Sequence, residues 1–505
     1  MTCEVPVSQE VIDRSSDIEN FYYQNRKTTS QPNILVIKSH DQGRKLGGDF
    51  PNISTIKQMR DEGVIFSNEN CTSPQCSPSR AAFLTGQTAS GKETEEGLGG
   101  HRVYGLGHMG FPMNPSVVEK ALPREMVKNG YYGFYVGIRG AHVVEDASEL
   151  GFHRVRQLQK SFTHLAAPEI EEAIKTSPKN IPFFGYCTLQ LGHRPFEEEL
   201  LARFGTVPLT QSDIEMTSIP DDLRVSLDDI LIEEEDWMIV KRDIALSNLH
   251  MALYNQFVDQ VLSILDQEKM LEDTLLLLTT DHGSADWRGK TLLTEAGMGV
   301  KSIWHGPDFK GGKQVLALTS NLDDAPTILH ACNIKVPEEM QGHNLAPLVK
   351  GEEKIVGQEY SLYKELYGEM SYHTLYDPQR SIYSRIGNTW YKLWVSYIPD
   401  MPFHPAAHFD GTRGKDEEPI KELLYRRGAF NKMKKPRPHL QLYNLTDDCY
   451  EENNLVGDPA SQDILSTMAI KLNERLVQTE DPIIKGGIIP PEGILFKNID
   501  DYNSE

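Results

Sequence analysis

Residues 33–43 read Asn-Ile-Leu-Val-Ile-Lys-Ser-His-Asp-Gln-Gly. An unbroken apolar run rich in β-branched residues, without polar alternation, marks a strand buried on both faces, as in a parallel sheet. The run gives way to a polar loop, Ser39-His40-Asp41-Gln42-Gly43. In open α/β sheets, ligands bind beyond the C-terminal ends of strands. The same stretch therefore predicts a fold and makes His40, Asp41 and Gln42 candidate site residues.

The pattern recurs outward from this strand. Residues 53–63 read as a helix, with Ile56, Met59 and Arg60 at helical spacing. Residues 181–189 form a second apolar run that ends near Gly192 and His193, and residues 274–283 a third that ends in Asp281-His282. A long amphipathic helix is expected over residues 237–264 and a shorter one over 323–331. This alternation predicts an α/β/α sandwich with a central, mostly parallel sheet. After about residue 375 the texture changes. Residues 380–396 read as two short strands joined at Gly387-Asn388, a hairpin signal. A Pro- and His-rich loop follows at 398–411, then helices near 418–425 and 462–479. The expected division is an N-terminal surface extension at 1–30, a catalytic α/β domain at 31–375, a smaller α+β domain at 376–481 and an arm at 482–505. The arm packs either on its own chain or on a second copy, which would make a homo-oligomer.

Composition narrows the function. The 505 residues are 39% hydrophobic and 25% charged, too rich in core-forming side chains for a disordered chain. The formal charge of −22 excludes general binding to nucleic acid or to an anionic membrane, yet it leaves room for a small anionic substrate in a locally basic pocket. No apolar run is long enough to cross a membrane. The first thirty residues have neither a basic start nor an apolar core of a signal peptide. Six cysteines, Cys3, Cys71, Cys76, Cys187, Cys332 and Cys449, form no metal-knuckle spacing and no disulfide framework. A cytoplasmic, reduced protein is the simplest reading; a mature exported chain stripped of its leader would look similar.

The sharpest local signal is Cys76-Ser77-Pro78-Ser79-Arg80-Ala81-Ala82-Phe83-Leu84-Thr85-Gly86. It reads as a loop with Pro and Ser, then a helix start with Ser79 as its cap candidate and the cysteine just before it; unpaired backbone N–H groups at such a start favour an anion and lower a thiol pKa. Arg80 adds a charged planar fork suited to an oxyanion. The competing reading is a buried cysteine ahead of an ordinary helix.

This stretch resembles the signature of the type I, formylglycine-dependent sulfatases of the alkaline phosphatase superfamily. Residues 280–283, 289–295, 323–329, 341–348 and 442–455 resemble further segments of that family. Residues 104–106, 376–385 and 401–403 are similar to its N-sulfoglucosamine sulfohydrolase branch. The resemblance implies that a formylglycine-generating enzyme oxidises Cys76 to Cα-formylglycine, whose hydrate attacks sulfur. It implies that Arg80 holds that residue, that Lys290 binds the sulfate, and that His193 contacts the sulfate and assists the leaving atom. Residues 137–142 stand where the family binds the formylglycine diol, with Arg139 supplying positive charge and His142 an imidazole that takes a proton. The family's paired aspartates fall on His40 and Asp41; a one-residue shift would put Asp41 and Gln42 there instead, as in phosphonate monoester hydrolases and choline sulfatases. With Cys76, Asp281 and His282, these residues imply one divalent cation. The resemblance favours calcium, whereas imidazole donors favour manganese, iron or zinc. Arg380, His404 and His408 are expected near the pocket mouth, and His101 and His108 are further candidates for binding substrate. The implied function is hydrolysis of a sulfate ester or sulfamate on a sulfated sugar or aryl group. Two alternatives stand beside it: a phosphonate monoester or phosphodiester hydrolase, and a catalytically silent homologue.

Overall fold

The computed structural model of the chain describes residues 31–44, 53–88, 113, 115–219, 233, 236–284, 289–350, 363, 365–372, 376–399, 423 and 437–486. The predicted apolar runs become β1 (Asn33–Ser39), β5 (Phe183–Thr188) and β6 (Thr274–Thr280). They join β2 (Val64–Asn70), β3 (Tyr132–Ile138), β4 (Arg154–Leu158), β7 (Gly299–His305) and β8 (Lys313–Ser320). Together these make an eight-stranded sheet ordered β4-β3-β5-β1-β6-β7-β2-β8. β1 runs parallel to both of its neighbours, with Lys38 paired to Thr188 on one side and Ser39 to Thr280 on the other. Only β7 runs against its partners.

The missing polar alternation in β1 has a direct cause. Ile34 and Val36 enter a core with Phe66, Phe83, Tyr186 and Ile328 on one face. Leu35 and Ile37 enter a second core with Ile56, Met59, Phe257 and Leu276 on the other. Because successive strand side chains point to opposite faces, a strand covered on both sides is apolar throughout. The first face is covered by α2 (Cys76–Thr85) and α5 (Asp324–Ala331), the second by α1 (Ser54–Glu62), α3 (Ala166–Thr176) and α4 (Trp237–Gln267).

A second sheet, ordered β12-β11-β10-β9, is antiparallel throughout. Its strands are β9 (Glu365–Tyr372), β10 (Tyr376–Ile386), β11 (Thr389–Ser396) and β12 (Leu440–Asn444). The hairpin closes where Ile386 pairs with Thr389, leaving Gly387 at φ 63° in the turn. The sheet begins ahead of residue 376, because β9 pairs along β10. Helix α6 (Gln462–Gln478) seats Met468, Leu472 and Leu476 against Ile382, Leu393 and Leu442.

Arg380 belongs to this core and not to a pocket mouth. It is fully buried, paired to Asp481 at 2.7 and 3.0 Å, and donates to the carbonyls of Met370 and Gln379. Residues 1–30, the 400–411 part of the His-rich loop and residues 487–505 lie outside the described residues, as does the helix expected near 418–425 apart from Leu423. Among the described residues no helix is long and apolar enough to cross a membrane, and Cys71, Cys76, Cys187, Cys332 and Cys449 form no disulfide with one another.

Candidate active site

The parallel strands β1, β5 and β6 end at one edge of the sheet, and their following loops bring distant residues together. β1 delivers His40 and Asp41, β6 delivers Asp281 and His282, and the loop after β5 delivers His193. Helix α2 meets the same edge with its N-terminal residue Cys76 and, one turn on, Arg80. His40 Nδ1 lies 2.7 Å from Asp41 Oδ1 and 3.2 Å from Asp281 Oδ2. His282 Nε2 lies 3.1 Å from Asp41 Oδ1 and 3.4 Å from Cys76 Sγ. Arg80 reaches Asp281 Oδ2 at 2.9 Å and the Ser39 carbonyl at 3.2 Å. Lys290 Nζ stands 3.1 Å from Asp41 Oδ2 and 3.5 Å from His193 Nε2. The His40 ring meets the rings of His193 and His142 edge-on, at centroid distances of 4.5 and 5.3 Å.

Except for half-buried His142, these groups are removed from water, so their charges act on one another strongly. Burial favours the neutral form of Asp41, yet Lys290, His40 and His282 hold its carboxyl well below the usual range. Asp281 is likewise lowered against burial, by His40 and Arg80. Burial works against the His282 imidazolium, but Asp281 and Asp41 raise it to about 10. His142 goes the other way: burial lowers it to about 3, so it is a neutral base, and it is hydrogen-bonded to Cys76.

One ligand atom from each of His40, Asp41, Cys76, Asp281 and His282 lies within 4.8 Å of every other. Two ionised, buried carboxylates beside two imidazoles are a donor set that fits a divalent cation. Two orphaned groups agree with this fit. His40 Nε2 and both amide atoms of Gln42 are buried with no hydrogen-bond partner among the described residues. Buried polar groups are seldom left so.

Arg139, expected to supply positive charge, is exposed and donates to the Glu145 carbonyl at 3.3 Å. The reason is local: Gly140, Ala141 and His142 all take left-handed φ, at 56°, 52° and 63°. That turn directs His142 onto Cys76 and Arg139 to solvent. Arg380 is buried on Asp481, as described above. His101, His108, His404 and His408 lie outside the described residues.

The sequence reading missed the supports. Ser79 donates its hydroxyl to the Asp281 carbonyl, and Asn321 Nδ2 donates to Ser79 Oγ at 3.0 Å. Lys392 of β11 lies between Glu295, at 3.4 Å, and Glu451; Glu295 also pairs with Arg44 and donates its backbone N–H to Glu451 Oε2 at 2.7 Å. These contacts tie the segments just after Asp41 and Lys290 to the second sheet. Glu295 and Glu451 both lie in stretches that resemble family segments, 289–295 and 442–455, but the sequence does not say that they meet.

A helix-borne cysteine thus stands beside buried cations and carboxylates on the rim of a mostly parallel sheet. The sulfatase family model matches residues 32–334, and the model for the C-terminal region of N-sulphoglucosamine sulphohydrolase matches residues 281–397. The chain belongs to the sulfatase family, the sulfuric ester hydrolases of alkaline phosphatase-like fold. It is 24% identical to human N-sulphoglucosamine sulphohydrolase (Homo sapiens), over 92% of this chain and 93% of that one. It is also 24% identical to the choline-sulfatase of Rhizobium meliloti, over 65% of this chain and 73% of that one. In fold it resembles a phosphonate monoester hydrolase from Silicibacter pomeroyi, with TM-score 0.60, 16% identity and coverage of 92% and 99%. A protein solved with its substrate D-glucosamine-2-N,6-O-disulfate has TM-score 0.61, 15% identity and coverage of 89% and 98%.

Proposed function

We propose that the chain hydrolyses the sulfate ester or sulfamate of a small anionic substrate, a sulfated saccharide or an aryl sulfate, with residue 76 as the nucleophile. The observation that carries this is the convergence of Cys76, Arg80, His142, His193 and Lys290 on the carboxylates Asp41 and Asp281 within a family of sulfuric ester hydrolases. Oxidised to formylglycine by a separate enzyme, residue 76 supplies a hydrated aldehyde with one hydroxyl to attack sulfur and a second whose deprotonation expels sulfate. His40, Asp41, Asp281 and His282, with residue 76, would hold one divalent cation, which supplies Lewis-acid polarisation of the sulfuryl oxygens. Calcium suits the carboxylates, and manganese, iron or zinc suits the imidazoles.

The chain's own side chains divide the remaining work. Arg80 fixes Asp281 and presents positive charge next to residue 76. Lys290 faces the site between Asp41 and His193, where its ammonium neutralises charge developing on the sulfuryl oxygens. His142, neutral and in contact with residue 76, accepts the proton of its second hydroxyl. His193 Nδ1 contacts the Arg194 carbonyl, which can only accept; Nδ1 therefore carries a proton, and in the imidazolium form the second proton, on Nε2, passes to the leaving oxygen or nitrogen.

Side-by-side turnover of an aryl sulfate and an aryl phosphonate, with mass spectrometry of the residue-76 peptide, tests the proposal. Sulfate turnover that rises with the formylglycine fraction is expected. Preferred turnover of the phosphonate would move the assignment to phosphonate monoesters, and no turnover of either by fully modified, metal-loaded protein would overturn it.

A further inference from the structure

Helix α4 grips the His193 loop at three points. Asp243 pairs bidentately with Arg194, at 2.6 Å to Nη1 and 2.5 Å to Nη2. Seven residues on, two helical turns and therefore the same face, His250 Nδ1 accepts the Gly192 N–H at 3.1 Å. Its Nε2 donates to the Phe196 carbonyl at 2.7 Å. The residues held are those immediately before and after His193 and, beyond Pro195, Phe196. The Arg194 guanidinium also lies 4.5 Å from the centre of the Phe196 ring.

The His250 contacts define its chemistry. A backbone N–H can only donate and a carbonyl can only accept, so His250 is the neutral tautomer with its proton on Nε2. Burial, the leading cause, lowers its pKa to about 4 and keeps it in that form. Gly192 leaves no alternative path for the loop. Its φ is 102°, and a Cβ there would come within 1.9 Å of the His40 carbonyl oxygen. The loop is thus pressed against the β1 end on one side and tethered to α4 on the other.

We propose that His250 is a positioning residue for His193, setting through Gly192 and Phe196 the direction in which His193 Nε2 meets the leaving atom, with Asp243 holding Arg194 as the second anchor. This rests on the leaving-group role of His193 proposed above. His250 touches no reacting atom; it acts through the backbone that carries His193. A displaced proton donor matters most when the leaving group is a poor one, because a stable phenolate departs without help.

The test is the dependence of kcat/KM on leaving-group pKa for metal-loaded, formylglycine-containing enzyme, over aryl sulfates from 4-nitrophenyl to phenyl sulfate. His250→Ala is expected to lose about tenfold or more on phenyl sulfate and less than about twofold on 4-nitrophenyl sulfate, giving a steeper slope. His193→Ala should steepen the slope at least as much, and the double variant should be no steeper than His193→Ala alone. His250→Gln, whose amide offers both an acceptor and a donor, should restore much of the wild-type slope. Asp243→Asn repeats the test on the second anchor if His250→Ala fails to fold. A wild-type slope for His250→Ala beside a steep His193→Ala slope overturns this inference alone, whether or not rates fall uniformly. A wild-type slope for His193→Ala overturns the role of His193 and this inference with it.

Discussion

The imidazole of His282 stands 3.4 Å from the sulfur of Cys76, with its Nε2 also 3.1 Å from Asp41. Residues more than two hundred positions apart in sequence thus place the proposed nucleophile against the proposed cation site. A group attached to residue 76 is within reach of both the carboxylates and the imidazoles, which couples the chemistry of that residue to the charge around it.

That coupling makes the oxidation state of residue 76 decisive. A thiol or serine lacks the second hydroxyl needed to expel sulfate. Cys76→Ser is expected to fold and bind metal but to turn over once or very slowly. Across wild-type preparations, aryl sulfatase rate should rise in proportion to the formylglycine fraction measured by mass spectrometry. Rates independent of that fraction would remove the proposed nucleophile.

Lys290→Ala should lower kcat by about 10²–10³-fold, the usual effect of removing one preorganised charge from a developing anion. Since Lys290 is buried on Asp41, some stability should be lost as well. The informative comparison is kcat per folded molecule, with the folded fraction read by circular dichroism. Wild-type kcat on that basis would place Lys290 outside the chemistry.

Stability of the metal-free protein should pass through a maximum near pH 6.5. Folded His142 and His250 have pKa values of about 3 and 4, below the unfolded value of about 6.5, so the unfolded state binds more protons and stability rises with pH between these limits. The lowered Asp41 and Asp281 contribute stability above about pH 4, which is lost as pH falls through their folded values. His282, raised to about 10, contributes fully below about pH 6.5 and loses that contribution as pH climbs toward 10. A urea titration series across pH checks the shape. Added divalent cation should shift the maximum upward, because it binds deprotonated imidazole. A monotonic profile would contradict the charge assignment.

Arg380→Met should destabilise the chain by about 3–5 kcal/mol by leaving Asp481 buried without its partner. KM of the folded fraction should stay at the wild-type value. A raised KM with unchanged urea midpoint would return Arg380 to the substrate pocket.

Much of the fold was legible because its signals are local. Short apolar runs at 33–38 and 274–280, rich in β-branched residues, point to strands covered on both faces, and β1 and β6 are such strands. The Gly387-Asn388 turn announced its hairpin in the same way. The supports were less legible. Asp243 and His250 look like ordinary polar positions on a long helix until the loop after β5 is seen lying across them.

The sequence by itself determined the sheet class, a helix in the Cys76 segment, though with Ser79 as its cap where the fold starts it at Cys76, and the strand ends that carry Asp41 and Asp281, since apolar periodicity and contiguous motifs are written within a few residues of one another. Only the tertiary structure decided which cations serve the site. His142 turns onto Cys76 while Arg139, three residues earlier, faces solvent, because the backbone between them is left-handed. Arg380 is spent on Asp481, a carboxylate about a hundred residues further on that no local pattern connects to it. Side-chain direction depends on backbone dihedrals and on partners distant in sequence, and both are fixed only when the chain has packed.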